Sequence, residues 1–452
     1  MNKKIFTSHF IFHFYKKKFI NLAMGFIRFI NEFIPKDKKL IVSFIDYEKI
    51  NNKLVPYKTD NVYVLSEYIK SKRDDIKIVY IPSNQFGGNS GSHISIKNKL
   101  FFIYLRFRAS LFLYKQPPHL SNFFTKKQNV FCLGYFPMPF KADYWDLTKW
   151  WIFYQHIFKS NINLEKENIV KYKNKVLQHF TYSKEQFSKT NLKYVVCSDY
   201  AGEIISRSHN IPLNSFITLG SIKNDFDKID DNFSIIDIYK VFNLERTFKK
   251  VIVYTPTFRD MLIRKSLVGA SDIDKTIFGY ENEREELARF LIENEILLIV
   301  KLHKSFDYYR ELEQFLKKEN KSFFSNCYFL DFELESKYNI SIYDILKISD
   351  AMIADYSSIS FDYLHYNKPI IYNTPDIEEY RKYRGFSHEP IQEMMAGRQV
   401  FTIEELKLAL LDVVNERDVF KKERELLYQK INQRAGENAT ENIYSYLEEN
   451  MF

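Results

Sequence analysis

Residues 350–386 read DAMIADYSSISFDYLHYNKPIIYNTPDIEEYRKYRGF, and this stretch decides the fold class. It opens on an apolar run, Ala351–Ala354, that turns polar in Asp355, Ser357 and Ser358. A segment of helical period, Ile359–Tyr366, follows, and Pro369–Tyr372 is a second apolar run behind an Asn-Lys-Pro turn signal. Short continuous apolar runs suit strands buried on both faces, as in a parallel sheet covered by helices. The unit reads strand, polar loop, helix, strand.

The same rhythm extends outward. Apolar runs recur at Lys39–Phe44, Ile76–Ile81, Asn129–Gly134, Tyr194–Cys197 and Phe216–Leu219, then at Lys250–Tyr254, Ile296–Leu302 and Tyr328–Leu330. Between them lie helical stretches such as Glu281–Glu293, Tyr308–Lys318, Tyr343–Ile348 and Glu404–Val414. The expectation is an α/β protein with two Rossmann-like parallel-sheet domains facing a central cleft. An Asp/Asn/Lys-rich segment, 221–248, breaks the rhythm. The expected division is a basic amphipathic segment at 1–38, an N-terminal α/β domain at 39–220, the connection at 221–248 and a C-terminal α/β domain at 249–415. Helices in 416–452 could pack back across the cleft.

The chain has 452 residues, 45% hydrophobic and 27% charged, which excludes wholesale disorder and a disulfide scaffold. Cys132, Cys197 and Cys327 form no C-x-x-C pair, which argues for a reduced compartment and against structural zinc. Of the net charge of +9, most lies in residues 1–39, where nine basic residues face only Glu32 and Asp37. A chain basic at one end alone suits an anionic membrane surface rather than nucleic acid. No window reaches the roughly 18 uncharged apolar residues of a spanning helix. The nearest, Phe101–Tyr114, contains Arg106 and Arg108. Lys16–Lys18 interrupt any secretory signal. Residues 17–34 read instead as an amphipathic helix, with Lys17, Asn21, Arg28 and Glu32 on a narrow polar face and Phe/Ile residues around the rest.

Two chemical signals are weak. Gly87, Gly88 and Gly91 form a glycine-rich loop, and Asp272 and Asp274 a D-x-D at an expected helix start, where capping is the ordinary role. No P-loop is present. In the second half, four strands end in polar clusters: YTPTFRD at Tyr254–Asp260, KLHK at Lys301–Lys304, DFE at Asp331–Glu333 and DYSS at Asp355–Ser358. Ligands of open parallel sheets bind outside the carboxyl ends of the strands. Thr255, Thr257, Arg259, His303, Asp355, Ser357 and Ser358 are then candidates for one crevice. Ser357 and Ser358 precede a helix whose free N–H groups would meet a phosphate. Capping of that helix is the competing role.

YTPTFRD resembles the Y-A-P-T-W-R-D element of the CDP-glycerol:polyglycerophosphate glycerophosphotransferases, the teichoic-acid and capsule polymer enzymes. Asp350–Phe386 is close to that family's most characteristic segment. GSIKND at Gly220–Asp225 is similar to its G-Y-P-R-N-D, and TDNVYVLSEY at Thr59–Tyr68 agrees further. The resemblance implies a GT-B architecture and a peripheral enzyme on the cytoplasmic face of a bacterial membrane. Its implied partners are a CDP-activated polyol and a lipid-linked or polymer acceptor hydroxyl, with CMP released. It implies that His303, Ser357 and Ser358 hold the donor pyrophosphate, assisted by Thr257 and Arg259. No cofactor is required by the sequence, and the need for a divalent metal is left open.

One departure stands out. Where the family carries W-H-G-T-P with a histidine base, Phe131–Lys141 reads FCLGYFPMPFK, placing Leu133 at the histidine and Gly134 at the glycine. Leucine accepts no proton. Asp143, the nearest carboxylate, and Asp355 become the alternative bases. A GT-B glycosyltransferase using a nucleotide sugar and a non-catalytic nucleotide- or polymer-binding homologue remain alternatives.

Overall fold

The computed structural model describes residues 25–50, 53–56, 60–83, 96–115, 124–134, 140, 190–209, 211–225, 237–257, 284–302, 326–383 and 385–452. Its second half is built on strands β9 (Lys250–Thr255), β10 (Ile296–Val300), β11 (Cys327–Phe329), β12 (Ala351–Ala354), β13 (Ile370–Asn373) and β14 (Arg398–Val400). They form one parallel sheet in the order β11-β10-β9-β12-β13-β14. Every residue of β10 (ILLIV), β12 (AMIA) and β13 (IIYN) is buried, which is why these strands read as continuous rather than alternating apolar runs. Alternate side chains feed two cores. Val253, Leu297, Ile299, Met352 and Tyr372 lie in one, and Ile252, Tyr254, Leu298, Ile353 and Ile371 in the other.

The first half holds β1 (Asp37–Ile45), β4 (Lys77–Pro82), β5 (Ala109–Tyr114), β6 (Asn129–Cys132), β7 (Asn191–Val196) and β8 (Phe216–Thr218). They also form a parallel six-stranded sheet, in the order β4-β1-β5-β6-β7-β8. A small antiparallel hairpin, β2 (Tyr47–Ile50) and β3 (Lys53–Pro56), stands beside it. Residues 25–33 form helix α1, α2 spans Asn61–Lys72, and α3 spans Ile96–Arg108. The expected helix at 17–34 overlaps α1 over residues 25–33, and residues 17–24 lie outside the described residues.

The apolar runs named above all appear as strands. Strands β5 and β14 and the hairpin were not anticipated. The window Phe101–Tyr114 is in fact two elements, because the chain passes from α3 straight into β5 with no turn residue between them. The helix after β12 is also shorter than its pattern suggested. It runs Ile359–Tyr363, tightens to a 3-10 turn at Leu364–Tyr366, and stops at Asn367, whose φ of 49° is left-handed.

The two halves are tied by their shared connections. Helix Lys421–Ile431 packs on the 3-10 turn Leu364–Tyr366 of the second half and on helix Asp199–His209 of the first. Buried Arg424 donates to the Asp418 carboxylate (3.0 Å) and to the Asn367 carbonyl (3.2 Å). Helix Ala439–Asn450 then lies against α2 and the 3-10 turn Ile222–Asp225. The GSIKND segment is the hub of this arrangement. Gly220 has φ +99°, and a Cβ there would sit 2.9 Å from the Ala439 Cβ, so a side chain is excluded twice over. Asp225 Oδ2 accepts the Thr440 N–H (2.7 Å) and hydroxyl (2.9 Å), fixing the start of the last helix. Asn224 donates to Asn432 at 3.2 Å.

Candidate functional site

Strand order locates the crevice. From β9 the chain winds outward through β10 and β11, then returns to the other side of β9 to lay down β12, β13 and β14. Connections leave the adjacent strands β9 and β12 in opposite directions, and it is outside the carboxyl ends of the strands at such a reversal that open parallel sheets bind ligands. The YTPT and DYSS clusters meet at that point. Thr255 pairs in register with Ala354. Two residues on, the Thr257 N–H donates to both Asp355 oxygens (2.9 and 3.0 Å), and the Thr257 hydroxyl donates to Oδ1 as well. Asp355 Oδ1 also accepts the Tyr356 N–H at 2.6 Å. Asp355 and Thr257 are both buried, so these charge-assisted bonds work in a dry setting and lock the two strand ends together. The Thr255 hydroxyl is buried and has no hydrogen-bond partner among the described residues.

Tyr356 supports the loop from below. Its ring stacks on Tyr380 (centroids 4.0 Å apart) and its hydroxyl donates to Asp376 at 2.9 Å. Ser357 and Ser358, which follow, are half-buried. Their carbonyls start the helix, accepting from Ser360 N and Phe361 N at 3.1 Å each. Ser358 sits at the N-cap position, yet its side chain caps nothing. The competing capping role is thus not what this hydroxyl does.

The other strand-end clusters divide. Asp331 caps helix Phe332–Tyr338 by accepting Leu334 N at 2.8 Å, and Lys301 pairs with Glu335 at 2.6 Å, so both are structural. His303, Arg259 and Asp143 lie outside the described residues, as do the glycine loop at 87–91 and the Asp272/Asp274 pair. Among the described residues no group of three or more His, Cys, Asp or Glu could hold a metal ion.

A second polar cluster, missed in the sequence, sits at the corresponding reversal of the first sheet, between β1 and β5. Lys115, just after β5, pairs with Asp46, just after β1, at 2.7 Å, and Ser83 after β4 also donates to Asp46. Buried Asp60 caps α2 through Val62 N (2.8 Å) and Tyr63 N (3.0 Å), and burial pushes its carboxyl up against the opposing pull of Lys115. The only sequence signal was position: each polar residue directly follows an apolar run. Leu133 directly follows β6, and its carbonyl faces Asn61, next to Asp60 of this cluster. Its side chain packs into the core with Ile41, Val62 and Leu113, and its carbonyl accepts weakly from Asn61 Nδ2 at 3.4 Å.

Between the halves, Lys223 of GSIKND reaches Asp362 at 3.5 Å, one turn past Ser358, and Tyr343 donates to the same Oδ2 at 3.2 Å. Burial pushes the Asp362 carboxyl up, and Lys223 pulls it back. Phe140, from the stretch after Gly134, is fully buried in the second half's core. It stacks on Phe361 (centroids 4.4 Å apart) and its carbonyl accepts Ser387 N at 2.9 Å.

Two doubly wound parallel sheets, with a polar cluster at the β9/β12 reversal, define a GT-B-like α/β protein. Residues 157–449 match the family model described as CDP-Glycerol:Poly(glycerophosphate) glycerophosphotransferase, and the chain belongs to that family. A teichoic acid poly(glycerol phosphate) polymerase of Bacillus subtilis is 31% identical over 48% of this chain and 26% of its own length. A teichoic acid glycerol-phosphate primase of Bacillus spizizenii is 26% identical over 57% of this chain and 58% of its own. The chain thus spans from about a quarter to under two thirds of these relatives. The fold is also that of the wall teichoic acid polymerase TagF, with a TM-score of 0.63 at 17% identity, covering 96% of this chain and 95% of that one. A form of TagF soaked with CDPG gives 0.61 at 17% identity over 97% of each chain.

Proposed function

We propose that this protein transfers a polyol phosphate, of the glycerol- or ribitol-phosphate type, from a CDP-activated donor to a hydroxyl of a bacterial surface polymer. The acceptor oxygen forms a bond to the polyol-bearing phosphorus, the anhydride P–O bond breaks, and CMP leaves with the electron pair. The observation that carries this reading is the Thr257–Asp355 lock, which sets the free Ser358 hydroxyl and the helix start at the sheet reversal. Donors held in place there neutralise charge developing on phosphate oxygens without reorganising. In this reading Ser357 and Ser358 hold the pyrophosphate with His303, and Thr255, Thr257 and Arg259 line its surroundings. Asp355 is a positioning residue, since its oxygens are engaged by Thr257 and Tyr356. Asp143 is the candidate base on the acceptor side.

The domain division given above is part of the same proposal, with the second half holding donor and the first half acceptor. So is a station at the cytoplasmic face of the membrane, on an anionic surface contacted by the basic N-terminal segment, with a lipid-linked or polymer acceptor. No described helix is long and apolar enough to cross a membrane. One observation favours a second reading, a non-catalytic homologue that binds the donor. Leu133 occupies the histidine position and is spent on the core. Incubating the full chain with a panel of CDP-alditols and an acceptor polymer, and following CMP by mass spectrometry, decides between them. CMP release with polymer growth supports transfer. Tight donor binding without CMP supports the second reading.

A further inference from the structure

Four neighbouring strands of the first sheet end within a residue of one another. In the order β4-β1-β5-β6, Ile45 pairs with Pro82 and Tyr114 with Cys132 at the ends of their ladders. The next residues on the four strands are Ser83, Asp46, Lys115 and Leu133. They make a row along the carboxyl edge of the sheet, across the β1/β5 reversal where an open parallel sheet binds its ligand. Between β5 and β6 the ladder continues one step further, the Leu133 N–H donating to the Tyr114 carbonyl at 2.9 Å. Lys115 therefore neighbours Leu133 across the two strands.

The polar members of the row are fixed from behind and open in front. Lys115 Nζ donates to Asp46 Oδ2 at 2.7 Å, and the Ser83 hydroxyl donates to Asp46 Oδ1. Buried Asp60 lies behind them: its Oδ2 accepts the Asp46 N–H at 3.2 Å and stands 3.9 Å from Lys115 Nζ. The side chains of Asp46 and Lys115 nonetheless remain 40% and 30% exposed, and Ser83 is exposed. An ion pair this open contributes little to stability. A second observation comes from Asn61, which is 4% exposed. Its Nδ2 makes only long contacts to the Leu133 (3.4 Å) and Gly134 (3.5 Å) carbonyls, and its buried Oδ1 has no partner among the described residues. A buried amide oxygen without a donor is satisfied when a ligand hydroxyl supplies one.

We propose that Lys115, Asp46, Ser83 and Asn61 form the subsite for the end of the acceptor polymer. The Lys115 ammonium takes the terminal phosphodiester, and Asp46, Ser83 and Asn61 take hydroxyls of the terminal polyol. This rests on the transfer reading above and deepens it by naming the residues that recognise the acceptor. The chemistry of the row selects its occupant. It offers one ammonium, flanked by a carboxylate, a hydroxyl and an amide oxygen. A nucleoside diphosphate would bring at least two negative charges against that carboxylate with one cation to meet them. A phosphodiester carries a single charge with hydroxyls a few bonds away, and matches one cation set among hydrogen-bond acceptors. The subsite orients the polymer end and takes no proton from it, so the acceptor-side base is a separate group.

The test is calorimetric titration of a synthetic glycerol-phosphate trimer, and separately of CDP-glycerol, into the full chain and into Lys115→Met, Lys115→Arg and Asp46→Asn. Lys115→Met should bind the trimer about tenfold or more weakly while keeping wild-type Tm and wild-type affinity for CDP-glycerol. Lys115→Arg, which keeps the charge, should recover most of the trimer binding, and Asp46→Asn should weaken it. In turnover, followed by CMP release, the loss should appear in KM for the trimer. Wild-type trimer affinity in both Lys115→Met and Asp46→Asn would overturn this inference and leave the transfer reading standing. A fall in Tm, or an equal loss of trimer and CDP-glycerol binding, would make the pair a structural brace and also overturn it. A wild-type chain that binds CDP-glycerol but neither binds the trimer nor releases CMP would remove the transfer reading, and this inference with it.

Discussion

At the scale of single residues, the account turns on groups whose hydrogen bonds are spent on the frame and groups whose bonds are not. Asp355 belongs to the first kind. Replacing it by Asn removes the charge from the bonds made by three donor groups and turns a donor toward Thr257 N–H. Loss of charged hydrogen bonds costs roughly 1.5–3 kcal/mol, so Asp355→Asn should lower Tm and weaken CDP-polyol binding together, whereas Thr257→Ser, which keeps the hydroxyl, should do neither. Differential scanning fluorimetry with and without donor reads both effects. The cysteines give an independent check on the core. All three are buried, and burial pushes every thiol up, Cys197 to about 12. Titration with a thiol reagent should find none reactive in the native protein and all three after denaturation. Reaction of native protein at neutral pH would mean that the strands carrying them open readily.

At the scale of elements, the GSIKND turn and the last helix form one unit. Gly220→Ala puts a Cβ against Ala439 at a left-handed backbone position, and should cost about 2 kcal/mol. Hydrogen exchange should show the loss concentrated in Ala439–Asn450, with the second sheet unchanged. The junction of α1 and α3, where Lys36 Nζ donates to the Asn31 (2.7 Å) and Phe107 (2.8 Å) carbonyls, supplies a pH test. Burial pushes the Lys36 ammonium down from 10.5 to about 8. The folded chain therefore holds this proton less tightly than the unfolded chain, and stability rises as pH climbs from about 8 toward 10.5. Relative to Lys36→Met, wild type should gain Tm over that interval, and a constant difference would show that Lys36 does not titrate there.

Much of this element-level design was legible in sequence, because doubly buried strands such as ILLIV and AMIA announce themselves by unbroken apolarity. The DYSS and YTPT clusters were legible for the same reason: each directly follows such a strand. What stayed hidden was set by tertiary partners. Strand β5 lacked a turn signal at its start, and β14 is only three residues long. Nothing local to GSIKND reveals that Asp225 caps a helix more than two hundred residues away. The Asp46–Lys115 pair likewise forms only when β1 and β5 become neighbours.

At the scale of the whole molecule, the two sheets are joined by contacts that meet close to the proposed donor site. Lys223 of the GSIKND connection pairs with Asp362, on the helix begun by Ser358, and Phe140 of the first half stacks on Phe361 of that helix. Movement of one half against the other would therefore be felt at the helix start. The central claim is that the donor's phosphates sit at that start. The most direct measurement is calorimetric titration of CDP-glycerol and CDP-ribitol into wild type and into Ser357→Ala/Ser358→Ala. The serines are half-buried and cap nothing essential, so the double variant should keep the wild-type Tm. Loss of hydrogen bonds to charged phosphate should weaken binding by roughly 1.5–3 kcal/mol, that is by about tenfold or more. Wild-type affinity in the folded double variant would place the donor elsewhere and contradict the account.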